Sequence, residues 1–159
     1  MAYEKQEKFS IVRIVVDTNI VFSGILNSSS KIGKLLLNSN SHFEFYSCKF
    51  LQIEIHNHKE KLVKLTKLSE SELFELESLI TSNITFINEE LIPSTILKST
   101  AKLLQDIDPK DTPFVALAKT LDAKLWTGDL KLIAGLKSKK IKNTISTAEL
   151  SFLLDELEQ

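Results

Sequence analysis

The stretch that most constrains this chain runs from Ile107 to Leu132, where a helix, a short loop and a strand follow one another. Pro113 suits the first turn of a helix, and apolar residues then recur at helical spacing as far as Leu121. The next two residues form a loop, and the segment 124–127 is typical of a short buried strand. Because so short a loop returns the chain antiparallel to the helix, the start of the helix and the end of the strand lie at one edge of the fold.

Acidic residues mark both ends of this unit. Asp108 and Asp111 precede the helix, and Asp129 follows the strand after Gly128. Two of them have an ordinary structural explanation, since Asp111 could cap the helix and Asp129 could belong to a turn. Their placement at one edge indicates instead that these carboxylates act together.

Another acidic residue follows the most apolar segment of the chain. Residues 9–16 are almost continuously apolar, as expected of a central parallel strand covered on both faces, and Asp17 comes directly after them. Open α/β sheets bind their ligands at the carboxyl ends of the strands, so Asp17, Thr18 and Asn19 lie where a ligand is expected. The alternative is a turn that only terminates the strand.

The remainder of the chain alternates between predicted helices and strands. The predicted strands are 9–16, 43–47, 83–87, 124–127 and 142–145, and helices are predicted at 20–25, 50–61, 71–80, 94–107 and 130–136. A further helix is predicted after Ser30, with Ile32, Leu35 and Leu36 as its apolar face, and a C-terminal helix is predicted with Ser146 or Thr147 as its cap. Glu54 lies in one of these helices, near the same edge as the other acids, although an exposed helix position is the simpler explanation of this residue taken alone. Strands joined by helical crossovers predict a three-layer α/β/α sandwich around a mainly parallel sheet.

Composition allows one domain and excludes several classes of protein. The 159 residues suffice for a single domain over 1–159, with residues 1–8 as a flexible lead-in. The formal net charge of −1 predicts no strong general attraction to nucleic acid, although it leaves room for a local basic patch. With Arg13 as the only arginine, bidentate recognition of phosphate by guanidinium groups is scarce. Cys48 is the only cysteine, and the chain has no apolar run of about 18 residues and no signal-peptide core. We therefore expect a cytoplasmic protein that does not enter a membrane.

Four carboxylates at one edge require a compensating charge. Two like charges 4 Å apart repel by about 4 kcal/mol at an effective dielectric constant near 20. Either a cation lies among them or some of them are protonated at neutral pH. Oxygen ligands favour Mg²⁺ or Mn²⁺ over zinc, and such a site suits phosphodiester hydrolysis. The sequence has no Walker A loop, GxGxxG motif or cysteine–histidine pair that would indicate another chemistry.

Four segments resemble, in order and spacing, the motifs of the PIN domain family. They are VVDTNIVFSG, the helix that carries Glu54, DPKDTPFVALA and LWTGD, and the resemblance covers roughly residues 11–150. The chain looks most like the prokaryotic PIN proteins described as toxins of toxin–antitoxin pairs and is similar to VapC-type ribonucleases. The resemblance implies a PIN-like fold and an endoribonuclease that depends on Mg²⁺ or Mn²⁺.

The resemblance also implies roles for individual residues. The family's four catalytic and metal-site acids are matched by Asp17, Glu54, Asp111 and Asp129. Its supporting polar residues are matched by Asn19, Asp108 and Thr127. The implied mechanism is attack by a metal-activated water, with Asp17 and Asp129 as direct ligands. Glu54 and Asp111 would complete the shell directly or through water, and either could act as the general base. Many relatives carry a further acid where this chain has Lys131, which weakens the case for a second metal ion.

An acidic site needs positive charge around it to hold RNA. The candidates are Lys59, Lys61, Lys64, Lys67 and the basic run 137–142, although solvated lysines on exposed faces are the simpler explanation. Trp126 is expected in the core rather than as a surface for base stacking, because its strand is predicted to be buried. The resemblance further implies an antitoxin partner and a homodimer, for which the apolar faces of helices 71–80 and 94–107 are candidates.

Two other functions remain open at this stage. The aspartate after the first strand could be the nucleophile of a phosphatase of the haloacid-dehalogenase type, but that chemistry needs a second aspartate where Asn19 stands. A covalent aspartyl-phosphate would identify such an enzyme. The other alternative is a catalytically inactive PIN-like module that only binds RNA or a partner, and it would bind RNA without metal-dependent turnover.

Overall fold

The structure, a computed structural model, describes residues 11–159 and is built around a five-stranded parallel sheet. The strands are β1 (Val12–Val16), β2 (Phe43–Cys48), β3 (Ile84–Ile87), β4 (Lys124–Trp126) and β5 (Thr144–Ile145). Their order across the sheet is β3-β2-β1-β4-β5, and every neighbouring pair is parallel. The predicted lead-in at residues 1–8 and the first two residues of the predicted first strand lie outside the described residues.

Helices connect the strands. Within residues 11–159 they are α1 (Thr18–Leu26), α2 (Lys31–Asn38), α3 (Lys49–Asn57), α4 (Lys59–Thr66), α5 (Glu70–Ile80), α6 (Ser94–Leu104), α7 (Thr112–Leu121), α8 (Leu130–Ser138) and α9 (Thr147–Leu157). Single 3₁₀ turns at Glu89–Leu91 and Pro109–Asp111 precede α6 and α7. In this part of the chain, no helix is long and apolar enough to cross a membrane.

Two layers of helices cover the sheet. The chain moves from β1 to β2 and β3 in one direction along the sheet, and from β3 to β4 and β5 in the other. Because parallel crossovers are right-handed, helices α1 to α5 lie on one face and α6 to α8 on the opposite face. Accordingly α7 contacts β1, β2 and β4 and is covered by α6, whereas α1 contacts α2, α3 and α5. The predicted three-layer α/β/α sandwich is therefore confirmed.

The reversal of direction places a crevice between β1 and β4. In such sheets the ligand site lies outside the carboxyl ends of the strands where the connections diverge. Val16 pairs with Trp126 in the register of β1 and β4, and the N–H of Asp17 donates to the carbonyl of Trp126. The residues that follow the two strands, Asp17 and Thr127, are thus neighbours at this edge. Trp126 itself is fully buried, as predicted.

Some predicted boundaries were wrong. The single helix predicted at 50–61 is two helices, because the backbone of His58 (φ −102°, ψ 14°) ends α3 and its N–H bonds back to the carbonyls of Glu54 and Ile55. The predicted helix 94–107 ends at Leu104, after which Ile107 closes a turn onto the carbonyl of Leu104. The last strand comprises two residues rather than 142–145.

Candidate metal centre

A cleft of about 950 Å³ opens at the carboxyl edge of the sheet, beside the ends of β1 and β4. Six of the seven predicted site residues line it: Asp17, Asn19, Glu54, Asp108, Asp111 and Asp129. The seventh, Thr127, is fully buried beneath them. The acids come from distant parts of the sequence, so the fold alone brings them together.

Three of the acids form a tight cluster. Asp108, Asp111 and Asp129 each offer a carboxylate oxygen, and these oxygens lie within 4.8 Å of one another. The 3₁₀ turn Pro109–Asp111 creates this proximity, since the N–H of Asp111 donates to the carbonyl of Asp108 at 3.2 Å. Asp108, expected only in a supporting position, thus lies within the closest group of carboxylates, while Asp17 and Glu54 lie outside that group.

Asp111 is not explained by helix capping. It occupies the N-cap position of α7, but its side chain makes no capping hydrogen bond. Among residues 11–159, its Oδ2 is one of two buried side-chain atoms without a hydrogen-bond partner. Burial, followed by the nearby charges of Asp108, Asp129, Asp17 and Glu54, raises the pKa of Asp111 to about 7. The carboxylate is therefore held where its own charge is unfavourable unless a cation is present.

Asp17 combines a structural bond with a place in the site. Its Oδ1 accepts the N–H of Ile20 at 2.9 Å and so caps α1. The residue is 4% exposed, and burial raises the pKa of its carboxyl, as does the charge of Asp129. The Thr127 side chain and the N–H of Ile20 act in the opposite direction and lower this pKa. The turn explanation and the ligand explanation are thus compatible at this residue.

The other two acids are also held in fixed orientations. Asp129 caps α8, and its Oδ1 accepts the N–H groups of Lys131 and Leu132. On the facing helix α3, Glu54 accepts a hydrogen bond of 2.7 Å from the hydroxyl of Thr18. Since Thr18 is the residue after Asp17, this bond ties α3 to the end of β1.

The donor set fits a hard divalent cation. Carboxylate oxygens are the ligands that Mg²⁺ and Mn²⁺ prefer, and cysteine, which would favour softer metals, is buried elsewhere at Cys48. A cation among Asp108, Asp111 and Asp129 would satisfy the unpaired Oδ2 of Asp111 and compensate the mutual repulsion of the three groups. The residues present are therefore suited to hold such an ion.

Most of the lysines predicted to surround the acids lie away from the cleft. Of the lysines from 59 to 67, only Lys61 lines it, and Lys59 pairs with Glu70 at 3.0 Å. The basic run 137–142 is not part of the lining, and Lys139 within it bonds Asp106 and the carbonyl of Leu103. The simpler explanation, lysines on solvated faces, therefore applies to most of them.

Several cleft residues were missed by sequence reasoning. They are Phe22, Phe50, Ile53, Asn57, His58, Lys110 and Glu89. Helical spacing from Glu54 could have identified Phe50 and Asn57, which lie four residues before and three residues after it, and Ile53 lies three residues after Phe50. Glu89 had no such signal, because it meets the cleft through tertiary contact. Its carboxylate accepts the N–H of Phe50 at 2.5 Å and supplies α3 with the cap that Cys48 lacks.

Solved structures of other proteins share this fold. VapBC2 from Rickettsia felis, solved bound to a DNA fragment from its promoter, matches with a TM-score of 0.63 at 15% identity, over 85% of this chain and 97% of that one. PAE2754 from Pyrobaculum aerophilum matches with a TM-score of 0.62 at 15% identity, over 92% and 90%. A toxin–antitoxin complex from Klebsiella pneumoniae matches with a TM-score of 0.55 at 20% identity, over 84% and 97%. These likenesses show the fold.

Sequence comparison is more specific. No curated protein matches the chain. The family model for the PIN domain, in contrast, matches residues 15–150, which include every acid of the cleft. The chain therefore belongs to the PIN domain family.

Proposed function

We propose that this protein is an endoribonuclease that hydrolyses RNA phosphodiester bonds with Mg²⁺ or Mn²⁺. The observation that carries the proposal is the cluster of Asp108, Asp111 and Asp129 around the unpaired Oδ2 of Asp111, in a chain of the PIN family. PIN domains are generally nucleases that use divalent metals, which agrees with the acidic donor set.

The residues of the cleft have separate tasks in this proposal. Asp17, Glu54, Asp111 and Asp129 would hold the metal, directly or through water. Asp108, which lies in one cluster with Asp111 and Asp129, would add a carboxylate oxygen beside the ion, and Asn19 would support the acids. Thr127 acts on two acids, since its Oγ1 accepts the N–H of Asp129 and its side chain lowers the pKa of Asp17. When bound, Mg²⁺ or Mn²⁺ supplies positive charge that favours ionisation of a water and stabilises the leaving oxygen. Lys131 stands where many relatives carry a further acid, so this position adds no carboxylate for a second ion, which favours a single ion.

We also propose that the protein is the toxin of a toxin–antitoxin pair. Support comes from the fold, which resembles VapBC2 and the Klebsiella pneumoniae toxin–antitoxin complex. In this proposal residues 1–159 form one cytoplasmic domain that binds an antitoxin protein. A homodimer would form through the faces of α5 and α6, where Phe74 of α5 is 69% exposed.

Cleavage of labelled single-stranded RNA tests the nuclease. Wild type, Asp17→Asn and Asp111→Asn are compared in Mg²⁺, in Mn²⁺ and in EDTA. Asp122→Asn is the matched control, because Asp122 is an exposed acid outside the cleft and asparagine tolerates its left-handed backbone (φ 51°). We expect cleavage by wild type and Asp122→Asn in either metal, and none in EDTA or from the two cleft variants.

The outcomes separate the nuclease from the binding module. If wild type and the two cleft variants cleave alike, the activity is a contaminant and the proposal fails. If wild type binds RNA without metal-dependent cleavage, the protein is an inactive PIN-like binding module.

A further inference from the structure

The two sides of the cleft differ in chemistry. One side carries the cluster of Asp108, Asp111 and Asp129. The other side is helix α3, where the large apolar residues Phe50 and Ile53 line the same cleft as Glu54. Phe50 is 39% exposed and Ile53 is 55% exposed, so both are open to solvent beside carboxylates. Holding a metal ion does not require this apolar surface.

The apolar surface is fixed in position relative to the acids. Phe50 and Glu54 are one helical turn apart, so their side chains lie on the same face of α3, with Ile53 beside them. Glu89 holds the N–H of Phe50 at 2.5 Å, and the hydroxyl of Thr18 holds Glu54 at 2.7 Å. Both ends of this helical turn are thus bonded to other elements, and the ring of Phe50 stands on a restrained backbone.

Positive charge completes the cleft. Lys61 of α4 and Lys110 of the 3₁₀ turn before α7 are both exposed and both line it. An occupant that matches all three features has an anionic backbone for the lysines and the metal, and a flat apolar face for Phe50 and Ile53. An unpaired nucleotide has this combination. A duplex does not, because its base faces are covered by neighbouring base pairs.

We propose that Phe50 and Ile53 form a surface on which an unpaired nucleobase of the RNA stacks next to the phosphodiester to be cut, so that these two side chains favour an unpaired over a paired substrate. The inference rests on the proposed nuclease function and adds to it the residues that hold the base. An apolar side chain of a protein partner is the competing occupant of the same surface.

A fluorescence titration tests the stacking without relying on cleavage. Trp126 is fully buried, so in the variant Phe50→Trp the new indole is the exposed reporter. Single-stranded RNA and a duplex of the same sequence are titrated in Ca²⁺, which replaces the metal that supports turnover. Phe152→Trp is the matched control, since Phe152 is 65% exposed on α9 and outside the cleft lining. We expect the single strand to quench the fluorescence of the tryptophan at position 50 and the duplex to leave it unchanged. The control variant should respond to neither RNA.

Kinetics provide the second readout. Phe50→Ala should raise KM for single-stranded RNA by about five- to fiftyfold with a smaller effect on kcat, because stacking holds the substrate and does not take part in the chemistry. Phe50→Tyr, which keeps a flat ring, should restore KM, and Phe152→Ala should match wild type.

The failures are distinguishable. If wild type does not cleave RNA, the nuclease proposal fails, and the titration still decides whether a base binds at Phe50. If wild type cleaves and Phe50→Ala has an unchanged KM, the stacking inference fails while the nuclease stands. Equal quenching by single strand and duplex overturns the selectivity. If Phe50→Ala loses binding to a protein partner while its RNA binding and RNA cleavage are unchanged, the surface belongs to that partner and the inference is overturned.

Discussion

Thr127 joins two acidic residues of the cleft through one hydroxyl group. The residue is fully buried, its Oγ1 accepts the N–H of Asp129 at 3.1 Å, and its side chain lowers the pKa of the Asp17 carboxyl. Valine has nearly the same shape without the hydroxyl. We expect Thr127→Val to lower the free energy of unfolding by about 1–3 kcal/mol, because the buried partners lose a hydrogen bond, and to reduce RNA cleavage.

The control for this prediction is Thr127→Ser, which keeps the hydroxyl. Urea denaturation and RNA cleavage of the two variants measure the effect. If the valine and serine variants have the same stability and activity, the hydroxyl does not orient the acids.

The raised pKa of Asp111 predicts that the stability of the protein depends on pH. Its pKa is raised from 3.8 in the unfolded chain to about 7 in the fold, so the folded state holds the proton more tightly. In metal-free protein, the contribution of Asp111 to the free energy of unfolding is therefore largest below about pH 4, and it is lost as the pH rises to about 7. After discounting for partial exposure, Asp111→Asn should be more stable than wild type in EDTA at pH 8 by about 1–2 kcal/mol.

Urea denaturation in EDTA at pH 8 and pH 5 measures this difference between variant and wild type. The gain should shrink at pH 5, where Asp111 is protonated in the fold, and Asp122→Asn should change stability little at either pH. A gain that is as large at pH 5 as at pH 8 would contradict the assignment of the raised pKa to Asp111.

At the scale of elements, the close approach of α2 to the preceding loop depends on Gly33. A Cβ at this position would lie 2.3 Å from the carbonyl oxygen of Ser28, which is backbone and cannot rotate away. We expect Gly33→Ala to destabilise the protein by about 1–3 kcal/mol in urea denaturation. The matched control is Gly128→Ala, since a Cβ there meets no heavy atom of the described residues within 4 Å. Equal stability of both variants would show that the loop before α2 relaxes freely.

Elements defined by interactions between neighbouring residues were predictable from the sequence, and those defined by contacts between distant residues were not. The unit of α7 and β4 was predictable, because Pro113, the apolar spacing and the short loop are all local signals. The capping of α8 by Asp129 likewise needs only three neighbouring residues. The division between α3 and α4 was not predictable from periodicity. The apolar spacing continues across His58, but the helical backbone conformation is interrupted there. Likewise, Glu89 bonds Phe50 across 39 residues, a distance at which no pattern relates them.

The candidate site was likewise predictable only in part. The edge at which Asp17, Asp111 and Asp129 meet follows from the alternation of strands and helices, because parallel strands end at the same side. The tight grouping of Asp108 with Asp111 and Asp129 did not follow, since it depends on the 3₁₀ turn between α6 and α7 and on atomic distances. The apolar side of the cleft was missed because large apolar residues such as Phe50 and Ile53 look like core residues in the sequence. Helical spacing relates Phe50 to Glu54, but the exposure of both apolar side chains is visible only in the fold.

At the scale of the whole molecule, the acids form a site only when the chain is folded. Asp17 follows β1, Glu54 lies in α3, and Asp129 precedes α8, so the unfolded chain keeps them apart. A cation that binds only the folded state stabilises it by about 2.7 kcal/mol at a concentration one hundred times its Kd. For a protein of this size we expect Mg²⁺ or Mn²⁺ at that concentration to raise the Tm by about 5–10 °C. Thermal unfolding with metal and with EDTA measures this shift.

The shift should also depend on pH, because protons compete with the metal for the carboxylates. With a pKa of about 7 at Asp111, ionisation of the cluster costs more at pH 6 than at pH 8, so the same metal concentration should raise the Tm less at pH 6. Asp111→Asn should lose most of the shift at both values, whereas Asp122→Asn should retain it. If Asp111→Asn keeps the full shift, the ion binds elsewhere on the fold. If the wild-type shift is the same at pH 6 and pH 8, the cluster around Asp111 is not the group that exchanges its protons for the metal.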